Sequence, residues 1–121
     1  MKIIKNANLV TMSEKYGNIE NGYVKIQDHK IIEVGKMSDF AENNTDAEIL
    51  EAGGRITTPG LVDAHSHLGM WEDGLDFEGD DGNEDTDPCT PQLRAIDAIN
   101  PMEASFKEAF DSGITTVSYT H

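Results

Sequence analysis

The sequence predicts an α/β chain in two parts: a small antiparallel β layer over residues 1–58, then the start of a parallel structure over residues 59–121. Three observations carry this. Short runs of apolar and β-branched residues, separated by turn residues, fill the first part. Pro59-Gly60 then breaks the chain. After the break the order is strand, loop, helix, strand, which is the opening βαβ unit of a parallel sheet.

Lys2 to Thr11 is the first expected strand, with Ile3, Ile4, Leu9 and Val10 as its apolar positions. Ser13 to Asn21 is polar, contains Gly17 and reads as a loop. Tyr23-Val24-Lys25-Ile26-Gln27 alternates with a period of two, Asp28-His29-Lys30 turns, and Ile31-Ile32-Glu33-Val34 returns as the hairpin partner. His29 is expected to be plain exposed turn chemistry. Ser38 to Asn44 suits a short helical turn with Ser38 as N-cap. Ala47 to Ala52 reads as a strand, Gly53-Gly54 as a tight turn and Arg55 to Thr57 as a brief return, giving roughly five antiparallel strands. So few strands do not close on themselves, and their apolar side needs another layer.

Pro59-Gly60-Leu61-Val62-Asp63-Ala64-His65-Ser66-His67 is the stretch that carries chemistry. As a strand it puts Asp63, His65 and His67 on one face, with Val62 and Ala64 on the other against a covering layer. Two imidazoles two residues apart on one face can converge on one cation at about 2.0–2.1 Å per Zn–N bond.

A long loop follows, Gly69 to about Pro88. Trp71 near its start suits a packing anchor, and Trp71, Glu72 and Asp73 are candidates for a substrate loop. Asp76, Glu78 and Asp80 offer alternate carboxylates, but the glycine that an EF-hand loop needs at its sixth position comes one place late, as Gly82. Thr90-Pro91 opens an expected short helix with Leu93, Ile96 and Ile99 on one side. Asn100-Pro101-Met102-Glu103 opens a second, with Asn100 and Glu103 as a capping box. Met102, Phe106 and Phe110 are its core face, Gly113 its C′ stop, and Ile114-Thr115-Thr116-Val117 a strand of β-branched residues.

The 121 residues carry a net charge of −14, which excludes nucleic acid or an anionic membrane surface as a partner class. Nine acidic residues and no Lys or Arg lie between Glu72 and Asp87, so that charge is largely one local feature. The single cysteine, Cys89, excludes an intramolecular disulfide and a cysteine-based zinc site. Lys5, Asn6 and Asn8 interrupt any apolar signal core, and no apolar run approaches the roughly 20 residues of a membrane span. A cytoplasmic protein is the expectation.

The Pro59–His67 motif, after small β hairpins and before a Gly-Ile-Thr-Thr-Val strand, resembles the metal-dependent amidohydrolase superfamily, and within it the imidazolonepropionase-related group. The resemblance implies a β-sandwich portion over residues 1–58 and the start of a (β/α)8 TIM barrel over residues 59–121. It implies that His65 and His67 bind a divalent metal, zinc or else iron, with one or two ions left open, and that Asp63 supports them from behind. The implied reaction is hydrolysis of a non-peptide C–N bond, often in a cyclic amide, by a metal-activated hydroxide. A small-molecule substrate is the implied partner, and the full-length protein is open to homo-oligomer assembly.

Three departures qualify the resemblance. The family's later ligands and its general base have no counterpart here, so the chain alone is expected to be inactive. The loop Trp71-Glu72-Asp73-Gly74 lacks the arginine of imidazolonepropionase, which leaves the substrate open. A complete barrel takes about 250 residues. The ending Val117 to His121 resembles the translated adapter of a transposase library, so a truncated reading frame is expected, with His121 no ligand and Ser118 to His121 of doubtful origin. Two other readings stay open here: a non-enzymatic acidic module in which residues 72–87 bind calcium or a basic protein, and a small β domain used for assembly.

Overall fold

The structure, a computed structural model, describes residues 1–41, 46–71 and 74–119. They form two compact units, Met1–Pro59 and Gly60–His121.

In the first unit β1 (Lys2–Val10), β2 (Asn18–Gln27), β3 (Lys30–Lys36), β4 (Glu48–Glu51) and β5 (Ile56–Thr57) form one five-stranded sheet. The spatial order is β3-β2-β1-β4, with β5 also on β1. β1, β2 and β3 pair antiparallel, as their hairpin pattern requires. β4 and β5 instead run parallel to β1, which corrects the expected antiparallel layer to a mixed one. The cause is the path of the chain: Glu48 enters opposite Lys2, and Ile56 continues in the same direction opposite Asn8. Gly53-Gly54 is therefore no reversal. With φ of 58° and 79° it bulges out of one continuing path, and Gly54 N–H donates to Asn6 C=O at 2.6 Å.

The β2–β3 turn is tighter than expected, with Asp28 and His29 alone between the strands and both at positive φ, 49° and 63°. This is the backbone that matches the twist of a two-residue hairpin. The expected loop before β2 is also shorter, ending at Gly17, whose C=O accepts from Thr11 Oγ1 at 2.6 Å. The helical turn is a 3-10 turn at Met37–Asp39 with Lys36, not Ser38, at its N-cap; Phe40 is already extended, and residues 42–44 of that expectation lie outside the described residues.

The core of this sheet is Ala7, Leu9, Ile19, Val24 and Ala52, with Ile4, Ile26 and Val34 packed against it. Strict alternation would put Ile4 and Ala7 on opposite faces. A register shift between them, at Asn6 with φ 52°, moves the phase by one residue and gathers Ile4, Ala7 and Leu9 together. Elsewhere in the unit Phe40 packs edge-on to the Tyr23 ring at 4.9 Å and receives the ammonium groups of Lys5 and Lys25 over its face.

In the second unit β6 (Leu61–Asp63) and β7 (Ile114–Val117) are parallel neighbours, joined by a crossover holding α1 (Ala95–Ala98) and α2 (Ala104–Asp111). Pro59-Gly60 separates β5 from β6 without a turn, and Gly60 has no left-handed φ. Glycine is needed there for room, because a Cβ would stand 2.1 Å from Thr115 Oγ1 on β7.

Both helices are shorter than their sequence patterns. α1 spans four residues behind Arg94, and Thr90-Pro91 makes only a turn. Pro101 disfavours the helical region for Asn100, and Ile99 is already extended at ψ 122°. Too few residues then remain to offset helix nucleation. α2 begins at Ala104 because Glu103 is extended, at ψ 138°. Asn100 Oδ1 accepts from Met102 N–H at 3.0 Å in a local turn, and the expected capping box does not form. Of the expected core face only Phe106 is half-buried; Met102 and Phe110 are 87% and 70% exposed, and Leu93, Ile96, Val62 and Ala64 are exposed too, so these apolar faces have no covering layer among the described residues. Gly113 does end α2, at φ 91° with its N–H on Phe110 C=O at 2.9 Å. No helix among the described residues is long and apolar enough to cross a membrane.

Candidate metal centre

β6 ends at Asp63, so the expected strand does not run through His67; His65 lies in the bend that follows and His67 in irregular backbone just beyond it. Backbone pairing with the chain leaving β7 nevertheless continues. Ser118 N–H donates to Asp63 C=O at 2.9 Å, and Ser66 N–H to Ser118 C=O at 3.0 Å. Asp63 Oδ1 accepts the His65 N–H at 3.1 Å, an Asp-type turn that bends the chain where the strand stops. Ser66 is buried at 3% exposure, and its Oγ accepts from Leu68 N–H at 3.2 Å, fixing the next residue pair in the same way.

The two imidazoles face each other. His65 Nε2 and His67 Nε2 stand 3.2 Å apart, with ring centroids at 5.2 Å and planes inclined by 49°. One ring nitrogen can donate to the other, according to tautomer. The same spacing fits a shared ion, since two nitrogens each about 2.0–2.1 Å from a tetrahedral zinc stand about 3.3–3.4 Å apart. The donor set therefore passes the test of geometry. Among the described residues no group of three His, Cys, Asp or Glu side chains is gathered to hold an ion.

A cavity of about 300 Å3 opens beside the pair, walled by Asp63, His65, Ser66, His67, Leu68 and Trp71 on one side and by Glu103, Ser105, Ala109 and Ile114 on the other. Glu103 Oε2 and Ser105 Oγ are buried and have no hydrogen-bond partner among the described residues. The sequence places Glu103 in a capping box and gives Ser105 no role. Nothing in their spacing signals a place in a cavity for either residue. Tyr119 donates from its hydroxyl to Leu68 C=O at 2.8 Å; burial, then the charge of Glu103, pushes its phenol pKa up.

Trp71 is 56% exposed and so is not the core anchor expected; its ring stands edge-on to His67, with centroids 5.5 Å apart. Glu72 and Asp73 lie outside the described residues, as does His121. In the acidic loop Asp76–Gly79 forms a 3-10 turn, Trp71 and Asp80 make an isolated β-bridge, and Asp80 Oδ1 accepts from Gly82 N–H at 3.3 Å.

The chain matches no protein-family profile. It is similar to an imidazolonepropionase of Paracoccus denitrificans (strain Pd 1222), 39% identical over 71 residues, which are 56% of this chain and 18% of that protein. It is similar also to a 5-methylthioadenosine/S-adenosylhomocysteine deaminase of Clostridium tetani (strain Massachusetts / E88), 40% identical over 68 residues, 56% of this chain and 16% of the relative. Among solved structures it matches an amidohydrolase from Thermotoga maritima MSB8 with a TM-score of 0.82 and 34% identity, over 98% of this chain and 29% of that one. The chain thus spans less than a fifth of the length of the curated relatives it matches.

Proposed function

The chain belongs to the amidohydrolase superfamily, and from that premise we propose that it supplies the first metal-binding segment of an enzyme hydrolysing a non-peptide C–N bond, in a cyclic amide. The observation that carries this reading is the 3.2 Å approach of His65 Nε2 to His67 Nε2 at the C-terminal end of a parallel strand, beside a cavity of about 300 Å3. In a barrel of parallel strands that end is where active sites are built.

His65 and His67 would hold a divalent ion, with zinc preferred and iron the second choice. When bound, such an ion supplies Lewis-acid polarisation of the substrate carbonyl and a water acidic enough to attack near neutral pH. The residues of this chain do the rest of the work assigned here. Asp63 holds the His65 backbone in its bend, and the Ser66–Ser118 backbone pair holds the segment between the rings. Trp71 lies edge-on against the His67 ring. Glu103 and Ser105 present buried oxygens to the cavity, where substrate N–H groups would satisfy them. Two imidazoles fall short of the three protein ligands of a catalytic zinc site. The remaining ligands and the proton-transferring group are therefore assigned to sequence that the relatives have outside the matched span, and the chain alone is read as inactive.

Titration with zinc tests the ion site: the wild-type chain should bind one ion, and a His65→Ala, His67→Ala double variant none. Equal binding by both would overturn the assignment. Turnover of hydantoin, dihydroorotate or an imidazolone by the chain alone would overturn the reading that two ligands are too few.

A further inference from the structure

We propose that Trp71 and Gly82 form a seat that fixes the orientation of the His67 imidazole, with Trp71 as a positioning residue; as a statement about ion binding, this rests on the reading of His65 and His67 as ligands.

The chain leaves His67 through a tight turn, with Met70 N–H on His67 C=O at 3.0 Å, and Met70 is buried at 2% exposure. Trp71 then turns its indole back so that its ring meets His67 at 5.5 Å and 64°, an edge contact. The acidic loop returns to the same point. Trp71 bridges to Asp80, and Asp81 N–H donates to Met70 C=O at 2.8 Å. These contacts deliver Gly82, which is buried, against both rings. A Cβ at Gly82 would stand 2.3 Å from Trp71 Nε1 and 3.0 Å from His67 Nδ1. Its φ is not left-handed, so the glycine serves close approach and not backbone freedom.

Two features otherwise without a role are explained together. A large apolar side chain lies half in solvent because its work is done on one face. A loop dense in carboxylates is tied back to the segment that follows the second histidine, with a glycine at the contact. The tie sets the His67 ring angle while leaving its Nε2 toward His65. Groups that orient a ligand from behind typically change metal affinity about 10–100-fold when removed.

The test uses the whole chain and two readouts. In the ion-free protein, proton NMR of the His67 ring, assigned by its loss in His67→Ala, should show a ring-current shift from Trp71, the only tryptophan in the sequence. Trp71→Ala and Gly82→Ala should abolish or reduce that shift, and Trp71→Phe should retain part of it. Zinc titration of the same proteins should show affinity falling by about tenfold or more in Trp71→Ala and Gly82→Ala, with Trp71→Phe recovering most of it. Unchanged amide shifts at Val62 and Thr116 in each variant keep a folding defect apart from a seating defect. A wild-type chain that binds no zinc sinks the ion reading alone, and the ring shift still decides the seat. A His67 ring shift that is unmoved in both Trp71→Ala and Gly82→Ala overturns the seat.

Discussion

Replacing Gly60 by alanine tests how the strand leading to the histidines is held. The new Cβ would stand 2.1 Å from Thr115 Oγ1, 2.5 Å from its Cγ2 and 2.8 Å from its Cβ. Ordinary contacts of this kind are about 3.5–4.0 Å, so the shortest of these overlaps by more than an ångström. Thr115 cannot rotate out of the way, because a β-branched side chain that moves one branch brings the other in. Its neighbours Ile114 and Thr116 are both paired with β6, so the backbone has little slack. Overpacking of this kind costs about 1–3 kcal/mol, a large part of the stability of so small a unit. Urea unfolding followed by Trp71 emission should show Gly60→Ala lowering the midpoint. Thr115→Ala removes two of the three clashing atoms, so the double variant should regain more than half of the loss. Thr115→Gly should regain nearly all of the part due to the clash. Single-variant effects that simply add, within about 0.5 kcal/mol, would show that the two positions do not meet, and the close-approach account of Gly60 would be wrong.

Other consequences can be checked on the same protein. Leu9 is 3% exposed in the first unit's core, so Leu9→Ala should cost about 2–5 kcal/mol in a denaturant melt; a loss below 1 kcal/mol would mean that this core is not packed. Gly113→Ala places a side chain at φ 91° and should destabilise by about 1–2 kcal/mol, whereas Ser112→Ala, one residue earlier, should change little. The Tyr23 phenol, hydrogen-bonded to Glu33, is pushed up from 10.0 to about 12. A folded value above the unfolded one gives stability that is whole below pH 10 and lost as pH rises toward about 12. Thermal melts across that range should therefore fall for the wild type and fall less for Tyr23→Phe; identical slopes would refute the linkage. The same bond from Tyr23, then Lys25, holds the Glu33 carboxyl below its usual range, so its contribution is present at neutral pH and lost only as pH drops through that lowered value.

Much of the strand pattern was legible because it rests on local chemistry. The alternation of Val24 and Ile26, the turn residues Asp28 and His29, and the β-branched run at Ile114–Val117 all state their conformation within a few residues. Direction was less legible. β4 lies parallel to β1 because of where the chain re-enters the sheet, and no residue in Glu48–Glu51 encodes that by itself. The helices were less legible: Thr90-Pro91 and Asn100-Pro101 carry cap and first-turn signals, yet Arg94 and Glu103 are extended and each helix starts several residues later. Exposure of Met102 and Phe110 is a fact of tertiary partners and not of periodicity, which identifies a face but not what covers it.

The histidine pair was legible as a pair, but for a reason the strand pattern only approximates. On a flat strand, residues i and i+2 lie on one face about 6.6–6.8 Å apart along the axis, twice the spacing that the two Nε2 atoms have here. Side chains standing perpendicular to a sheet would keep that separation to their tips. The chain closes the gap by ending β6 at Asp63 and bending through His65, and the Asp63 carboxylate on the His65 N–H is what makes the bend local and reproducible. Period two explains why the rings start on the same side; the bend explains why they meet. The Asp-x-His-x-His spacing therefore works as one unit, in which the carboxylate shapes the backbone and the imidazoles take the convergent positions that this backbone creates.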